Sequence, residues 1–193
     1  MSQAITRESW LIEAIKVLTP IFTEKGYTIP QVKVSCGFAS TGKDRHVGQC
    51  WANETSEAGV NEIFISPKLD DPVEVLDTLV HELVHAVDNC KHGHGAEFKK
   101  IALSVGLQGK MRQAHAGDLL KERLKKLSEQ LGPYPHKRLR FYTNIRTYRP
   151  RPRAVCKECG YQINILKKWL HYGPPLCPVH KTEMEPLGVW ETD

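Results

Sequence analysis

Asp70-Asp71-Pro72-Val73-Glu74-Val75-Leu76-Asp77-Thr78-Leu79-Val80-His81-Glu82-Leu83-Val84-His85-Ala86-Val87-Asp88-Asn89 is the stretch on which the fold turns. The two acids and Pro72 mark a helix start: carboxylates favour the positive end of the helix dipole, and proline fits the first turn. Val75, Leu76, Leu79, Val80, Leu83, Val84 and Val87 recur at helical spacing, in a stripe wide enough for a buried helix running from about Val73 to Asn89. Inside it lies His81-Glu82-Leu83-Val84-His85, the H-E-x-x-H pattern. Residues four apart share a helix face, so both imidazoles can reach one Zn²⁺ while Glu82 meets the water beside it. The bland alternative is a pair of histidines hydrogen-bonded in a core.

Working outward, apolar positions at Ile5, Trp10, Leu11, Ile15, Leu18 and Phe22 predict a helix over 5-25, stopped by Gly26. Three β-rich runs follow, 32-38, 47-51 and 62-66, and read as a small antiparallel sheet. If 32-38 and 46-51 form a hairpin, Cys36 and Cys50 lie nearly opposite. A helix is expected from about Gly95 to Gly106, and another over 117-131 with Leu119, Leu120, Leu124, Leu127 and Leu131 on its stripe. The fold class expected is α+β, and 193 residues with 40% hydrophobic and 25% charged content suit one domain plus a small appendage. No apolar run approaches the roughly 18 residues of a membrane span, and the first residues lack a signal-peptide core. The expectation is therefore no membrane partner, no secretion, reduced cysteines, and a cytoplasmic, nucleoid or nuclear location.

A catalytic zinc needs a third protein ligand and an open position. The metzincin pattern would require Gly and His where Asp88 and Lys91 stand, which excludes that class. Glu97 is a possible ligand, and so are the histidines of His92-Gly93-His94-Gly95, where glycines permit a sharp reversal. Together with His94-Gly95-Ala96-Glu97-Phe98, the helix motif resembles the SprT-like zinc metallopeptidases, the Spartan-related family, whose signature joins H-E-x-x-H to H-G-x-x-F/W. Gly37-Phe38 and Gly48-Gln49-Cys50-Trp51 fit the family layout more weakly. The resemblance implies a zincin-type, minigluzincin-like domain, a catalytic zinc on His81, His85 and His94, Glu82 as catalytic base, and a protein or peptide substrate associated with DNA. His92 is a weak candidate for stabilising the oxyanion.

A second constellation, Cys156-Lys157-Glu158-Cys159-Gly160 and Cys177-Pro178-Val179-His180, has the spacing of two zinc knuckles. Four ligands close the shell, so this zinc would be structural, holding a C-terminal zinc ribbon; His171 is an outside alternative to His180. Related ribbons usually carry four cysteines. Between the two constellations the chain turns basic: from Gln130 to Lys157 there is no acid and there are eight cations, while the other 19 basic residues face 22 acidic ones. Lys137, Arg138, Arg140, Arg146, Arg149, Arg151 and Arg153 alternate with aromatics, a composition suited to nucleic acid, since cations neutralise phosphates and rings stack on bases. A solvated linker has the same charge. The expected layout is a metallopeptidase domain over 1-132, a basic arm over 133-153 and a ribbon over 154-193. The activity expected is a zinc-dependent metalloendopeptidase with two Zn²⁺; the alternative is a non-catalytic zinc-binding adaptor for nucleic acid or a transcription-associated protein.

Overall fold

The computed structural model describes residues 6-40, 46-139, 151-188 and 190. The chain divides into two units, Met1–Arg140 and Phe141–Asp193. The first is an α+β fold. Its first helix, α1 (Arg7–Thr23), starts at a capping box in which Ser9 N–H donates to Thr6 Oγ1 and Thr6 N–H donates to Ser9 Oγ. It buries Trp10, Leu11, Ala14, Leu18, Ile21 and Phe22.

Strands β1 (Val32–Cys36), β2 (Gly48–Trp51) and β3 (Asn61–Ile65) form one sheet in the order β1-β3-β2. The expected antiparallel sheet is corrected here: β2 pairs antiparallel to β3, but β1 pairs parallel to it, so the sheet is mixed. The reason lies in β3, whose Asn61, Ile63 and Ile65 are all buried. It is the strand best suited to the centre, and β1 and β2 take its two flanks. Cys36 and Cys50 therefore do not face each other across a hairpin; β3 runs between them.

Helix α2 (Pro72–Val87) begins where Asp71 accepts the Val73 and Glu74 N–H groups, with Pro72 in its first turn. Its stripe is buried from Val75 to Val84 and rests on the sheet and the other helices. Helix α3 (Ala96–Ser104), the short antiparallel pair β4 (Leu107–Gln108) and β5 (His115–Ala116), and α4 (Asp118–Leu131) complete the unit. In α4 the buried positions are Leu120 and Leu124, whereas Leu119 is 91% exposed, because it stands one residue, about 100°, off the inward stripe.

The segment after α4 does not leave at 132. Trp10 Nε1 donates to Gly132 O at 3.1 Å, and Tyr134 is buried edge-on against Trp10. His136 Nε2 and the Leu139 N–H both donate to Pro67 O at 2.8 Å. Residues 132-139 thus strap the first unit, including the part read as the start of the basic arm.

The second unit is a three-stranded antiparallel sheet, β6 (Arg153–Val155), β7 (Gln162–Asn164) and β8 (Glu185–Leu187), in the order β7-β6-β8. Among the described residues its buried cluster is Ala154, Cys156, Cys177 and Met184, with Ile163, Ile165 and Trp190 packed partly against it and Leu170 buried apart from it. Among the described residues no helix is long and apolar enough to cross a membrane.

Candidate metal centres and catalytic cleft

Helix α2 carries His81 and His85 one turn apart, and the turn after it brings back His94. The His94 Nε2 lies 3.3 Å from His81 Nε2 and 3.2 Å from His85 Nε2, so three ring nitrogens converge on one point. The return is made by a tight turn in which Asn89, Cys90 and Gly93 all have positive φ, at 50°, 57° and 52°. Asn89 is suited to this, since its short amide tolerates the left-handed region. Its side chain also fixes the turn: Nδ2 donates to Asn53 Oδ1 and Glu54, while Oδ1 accepts from Asn53 N–H and from Asn61 Nδ2.

Phe98, fully buried at the start of α3, packs on all three imidazoles with ring centroids 4.3-5.1 Å away. This accounts for the spacing His94-Gly95-x-x-Phe98: the glycine leads into the helix that carries the ring floor. Burial holds His81 down at about 4 and His85 at about 3, and lowers His94 as well. At neutral pH all three are neutral and offer lone pairs. For His81 the tautomer is fixed, because Nδ1 lies 3.3 Å from Ala114 O and a carbonyl can only accept. The three histidines make a donor set that could hold a metal ion.

Glu82 is only 6% exposed, and burial pushes its carboxyl up to about 8, helped by the neighbouring Cys90 thiol and opposed by the Cys50 N–H, which donates to it. Strand β2 comes this close because Gly48 has no side chain. A Cβ there would sit 2.7 Å from Thr78 Cγ2 and 2.9 Å from Glu82 Cδ. Gly48→Ala is therefore expected to cost about 1-3 kcal/mol, as overpacking does, read as a lower urea midpoint, with Glu82 displaced from Cys50.

These groups floor a cleft of about 690 Å³ walled by β2 on one side and by residues 112-115 on the other. Asp77 anchors the second wall: its Oδ1 accepts the Ala116 N–H at 2.8 Å, which holds the segment carrying Ala114 O. Burial raises the Asp77 carboxyl above its ordinary value. The lining also includes Arg112, a fixed cation, with His46 and His115. Arg112 forms no ion pair among the described residues and, with burial and His46, keeps the His94 proton affinity low.

His92 takes no part in the histidine cluster. Its Nδ1 lies 2.6 Å from Asp88 Oδ1 and its N–H donates to Asp88 Oδ2, so the ring is tied to the turn's outer side. Glu97 is likewise outside the cluster. Sequence reading missed Asp77 and Asn89. Asp77 was detectable as a carboxylate one turn before His81 on an otherwise apolar helix, and Asn89 as a left-handed former just past the helix end.

In the second unit, Cys156, Cys159, Cys177 and His180 converge, with their ligand atoms within 4.8 Å of one another, and could hold a second metal ion. Cys156 Sγ is 3.6 Å from His180 Nδ1, Cys177 Sγ is 3.8 Å from it, and Cys159 Sγ is 3.7 Å from Cys177 Sγ. Two turns of the same design present them. Cys156 N–H donates to Tyr161 O and Gly160 N–H to Cys156 O; Cys177 N–H donates to Thr182 O and Lys181 N–H to Cys177 O. Gly160 and Lys181 occupy the matching left-handed positions at φ 71° and 58°. Backbone N–H groups of Cys159 and Glu158, with His180, hold the Cys156 thiol down at about 6. His171 stacks on Tyr172 and stands outside the cluster.

The cations of the basic segment are divided. Arg138 is paired with Asp70 at 2.6 Å on the first unit, Arg153 donates to Gln162 across β6 and β7, and Lys157 is paired with Glu185. Lys137 and Arg151 are exposed. Arg140, Arg146 and Arg149 lie outside the described residues. Comparison of the chain with protein-family models, with curated proteins and with solved structures finds no match.

Proposed function

We propose that the chain is a zinc-dependent metalloendopeptidase of the SprT-like type, a minigluzincin-like domain followed by a zinc ribbon. The observation that carries the reading is the convergence of three neutral imidazoles beside a buried carboxylate in an open cleft. Ligands about 2.0-2.1 Å from a tetrahedral zinc sit about 3.3 Å apart, and the Nε2 separations are 3.2 and 3.3 Å. Three ligands leave a position open, as catalytic zinc sites do. Zinc held there supplies Lewis acidity, polarising a peptide carbonyl and making water more acidic.

Glu82 does the proton work: a cation held by the three histidines would favour its ionised form over the neutral one that burial alone favours, and that carboxylate takes a proton from the attacking water and delivers it to the leaving amine. The Cys50 N–H keeps it aimed. Arg112, without an ion pair among the described residues and near His94, is placed to meet negative charge on the substrate. In the second unit, thiolates about 2.3 Å from zinc would sit about 3.8 Å apart, close to the 3.7 Å between Cys159 and Cys177. Three thiols and one imidazole close that shell, so its role is structural, with Cys156, Cys159, Cys177 and His180 as ligands.

The substrate is a protein or peptide, and nucleic acid is the proposed second partner, through Lys137, Arg138, Arg140, Arg146, Arg149, Arg151, Arg153 and the ribbon. Arg138 contributes least, since Asp70 already neutralises it. Two zinc ions per chain by elemental analysis, with hydrolysis of an unstructured peptide that stops on removal of metal, is the expected result. Two zinc ions with no hydrolysis, with or without single-stranded DNA, would leave the adaptor reading in its place. Replacing Arg140, Arg149 and Arg151 by Ala is expected to flatten the salt dependence of oligonucleotide binding by about 0.7-0.9 in log-log slope for each phosphate no longer neutralised. Equal slopes for wild type and variant would reduce the segment to a solvated linker.

A further inference from the structure

Cys50 and Cys90 belong to neither metal-ligand set, yet both line the cleft. Cys50 lies on β2 and shares the inward face with Gly48, since Gln49 and Trp51 alternate to the other side. Cys90 stands in the turn after α2, and its thiol donates to Cys50 O at 3.5 Å. The Cys50 thiol donates to Trp51 O at 3.7 Å, and the two thiols are close enough for each to act on the ionisation of the other. Both are half-buried, neither sealed in the core nor free on the surface. The turn is held firmly, because the neighbouring Asn89 amide is bonded to three other residues. Cys36 is no rival partner: with β3 between β1 and β2, its strand lies two spacings, about 9.6 Å, from that of Cys50.

We propose that Cys50 and Cys90 are a dithiol modification site that closes to a disulfide when a hydroperoxide reaches the cleft. Either sulfur can open the sequence, and Cys90, the thiol held 3.5 Å from the Cys50 carbonyl, is taken as the attacker. The Cys90 thiolate attacks one peroxide oxygen, the O–O bond breaks, and Cys90 becomes a sulfenic acid. The departing hydroxide takes up the proton that Cys90 released and leaves as water. The Cys50 sulfur then attacks the Cys90 sulfur, the S–O bond breaks, and the hydroxyl departs with the Cys50 proton as a second water. Two thiols are oxidised by two electrons and one hydrogen peroxide is reduced to two waters.

The link to function rests on the proposed peptidase reading. Cys50 supplies the N–H that holds Glu82, so drawing its sulfur to about 2.05 Å from Cys90 pulls on the strand that aims the carboxylate. The disulfide is expected to lower turnover severalfold, reversibly.

The test uses the full chain loaded with zinc, which protects Cys156, Cys159 and Cys177. After treatment with a few equivalents of hydrogen peroxide, remaining thiols are alkylated and the digest is mapped by mass spectrometry. A Cys50–Cys90 cross-linked peptide pair, lost on reduction with dithiothreitol and absent in Cys50→Ser and in Cys90→Ser, is the expected result. Full alkylation of Cys50 and Cys90 after peroxide, or their pairing with other cysteines, overturns the proposal. The ratio of treated to untreated peptide hydrolysis should fall in the wild type and stay at one in Cys90→Ser. A mapped disulfide with the wild-type ratio still at one overturns the link to Glu82. A chain that forms the disulfide but hydrolyses no peptide under any condition counts against the peptidase reading alone, because the mapping does not depend on activity.

Discussion

Glu82→Gln is expected to lower peptide hydrolysis by at least roughly 10²-fold, the lower end of what positioned proton transfer contributes, while both metal clusters stay loaded. The substitution is nearly isosteric, so it fits the space left by Gly48 and Thr78, and the amide oxygen can still accept the Cys50 N–H. What it removes is the ability to take a proton. His94→Ala should behave differently, since it deletes one of three converging nitrogens and leaves His81 and His85 as a two-point site. Elemental analysis beside a peptidase assay separates the two. Undiminished hydrolysis by Glu82→Gln would remove Glu82 from the chemistry, and unchanged zinc affinity in His94→Ala would remove His94 from the metal.

Loss of a ligand in the second unit should have a larger structural effect. Cys156→Ala or Cys177→Ala is expected to release one metal ion per chain and unfold the sheet of β6, β7 and β8, leaving the first unit folded. Among the described residues the unit's buried cluster is four side chains, and two of them belong to the set that could hold the metal. Metal binding in small sites of this kind is worth about 10-16 kcal/mol of apparent free energy, far more than so small a core contributes. Hydrogen exchange resolved by segment is the check: protection should vanish in β6, β7 and β8 and persist in α1 and α2. Retained protection in β6 would show that the sheet holds without its metal.

The elements that sequence made legible are those governed by one short-range rule. The start of α2 is set by Asp71 and Pro72, its buried face by a stripe of period 3.6, and its two converging imidazoles by the four-residue spacing. The two turns of the second cluster are equally local, although Lys181 takes a left-handed position that a search for glycine passes over. Sheet order is not local. Nothing within 32-36 or 48-51 states which strand flanks which, and the answer depends on β3 being the strand that is buried at every second position. Asp77 and Asn89 were missed for the same reason, because their partners, Ala116 and Asn53, lie 39 and 36 residues away. The basic segment shows the limit of composition: it counts Arg138 among the cations available for phosphate, whereas Asp70 already holds it.

The strap of residues 132-139 has a bearing on how the chain comes to be folded as it is made. Trp10 is capped by the carbonyl of Gly132, 122 positions later in the chain, and Pro67 O waits for the imidazole of His136 and the N–H of Leu139. During synthesis from the N-terminus, α1 and the sheet can gather before these partners have left the ribosome, but that side of the unit stays unsealed until about residue 139 emerges. Contacts so far apart in sequence close slowly, since a long loop must be ordered before they form. A chain ending at 132 would keep every histidine of the cleft and lose this seal, which makes 139, and not the end of α4, the shortest point at which the nascent unit can finish.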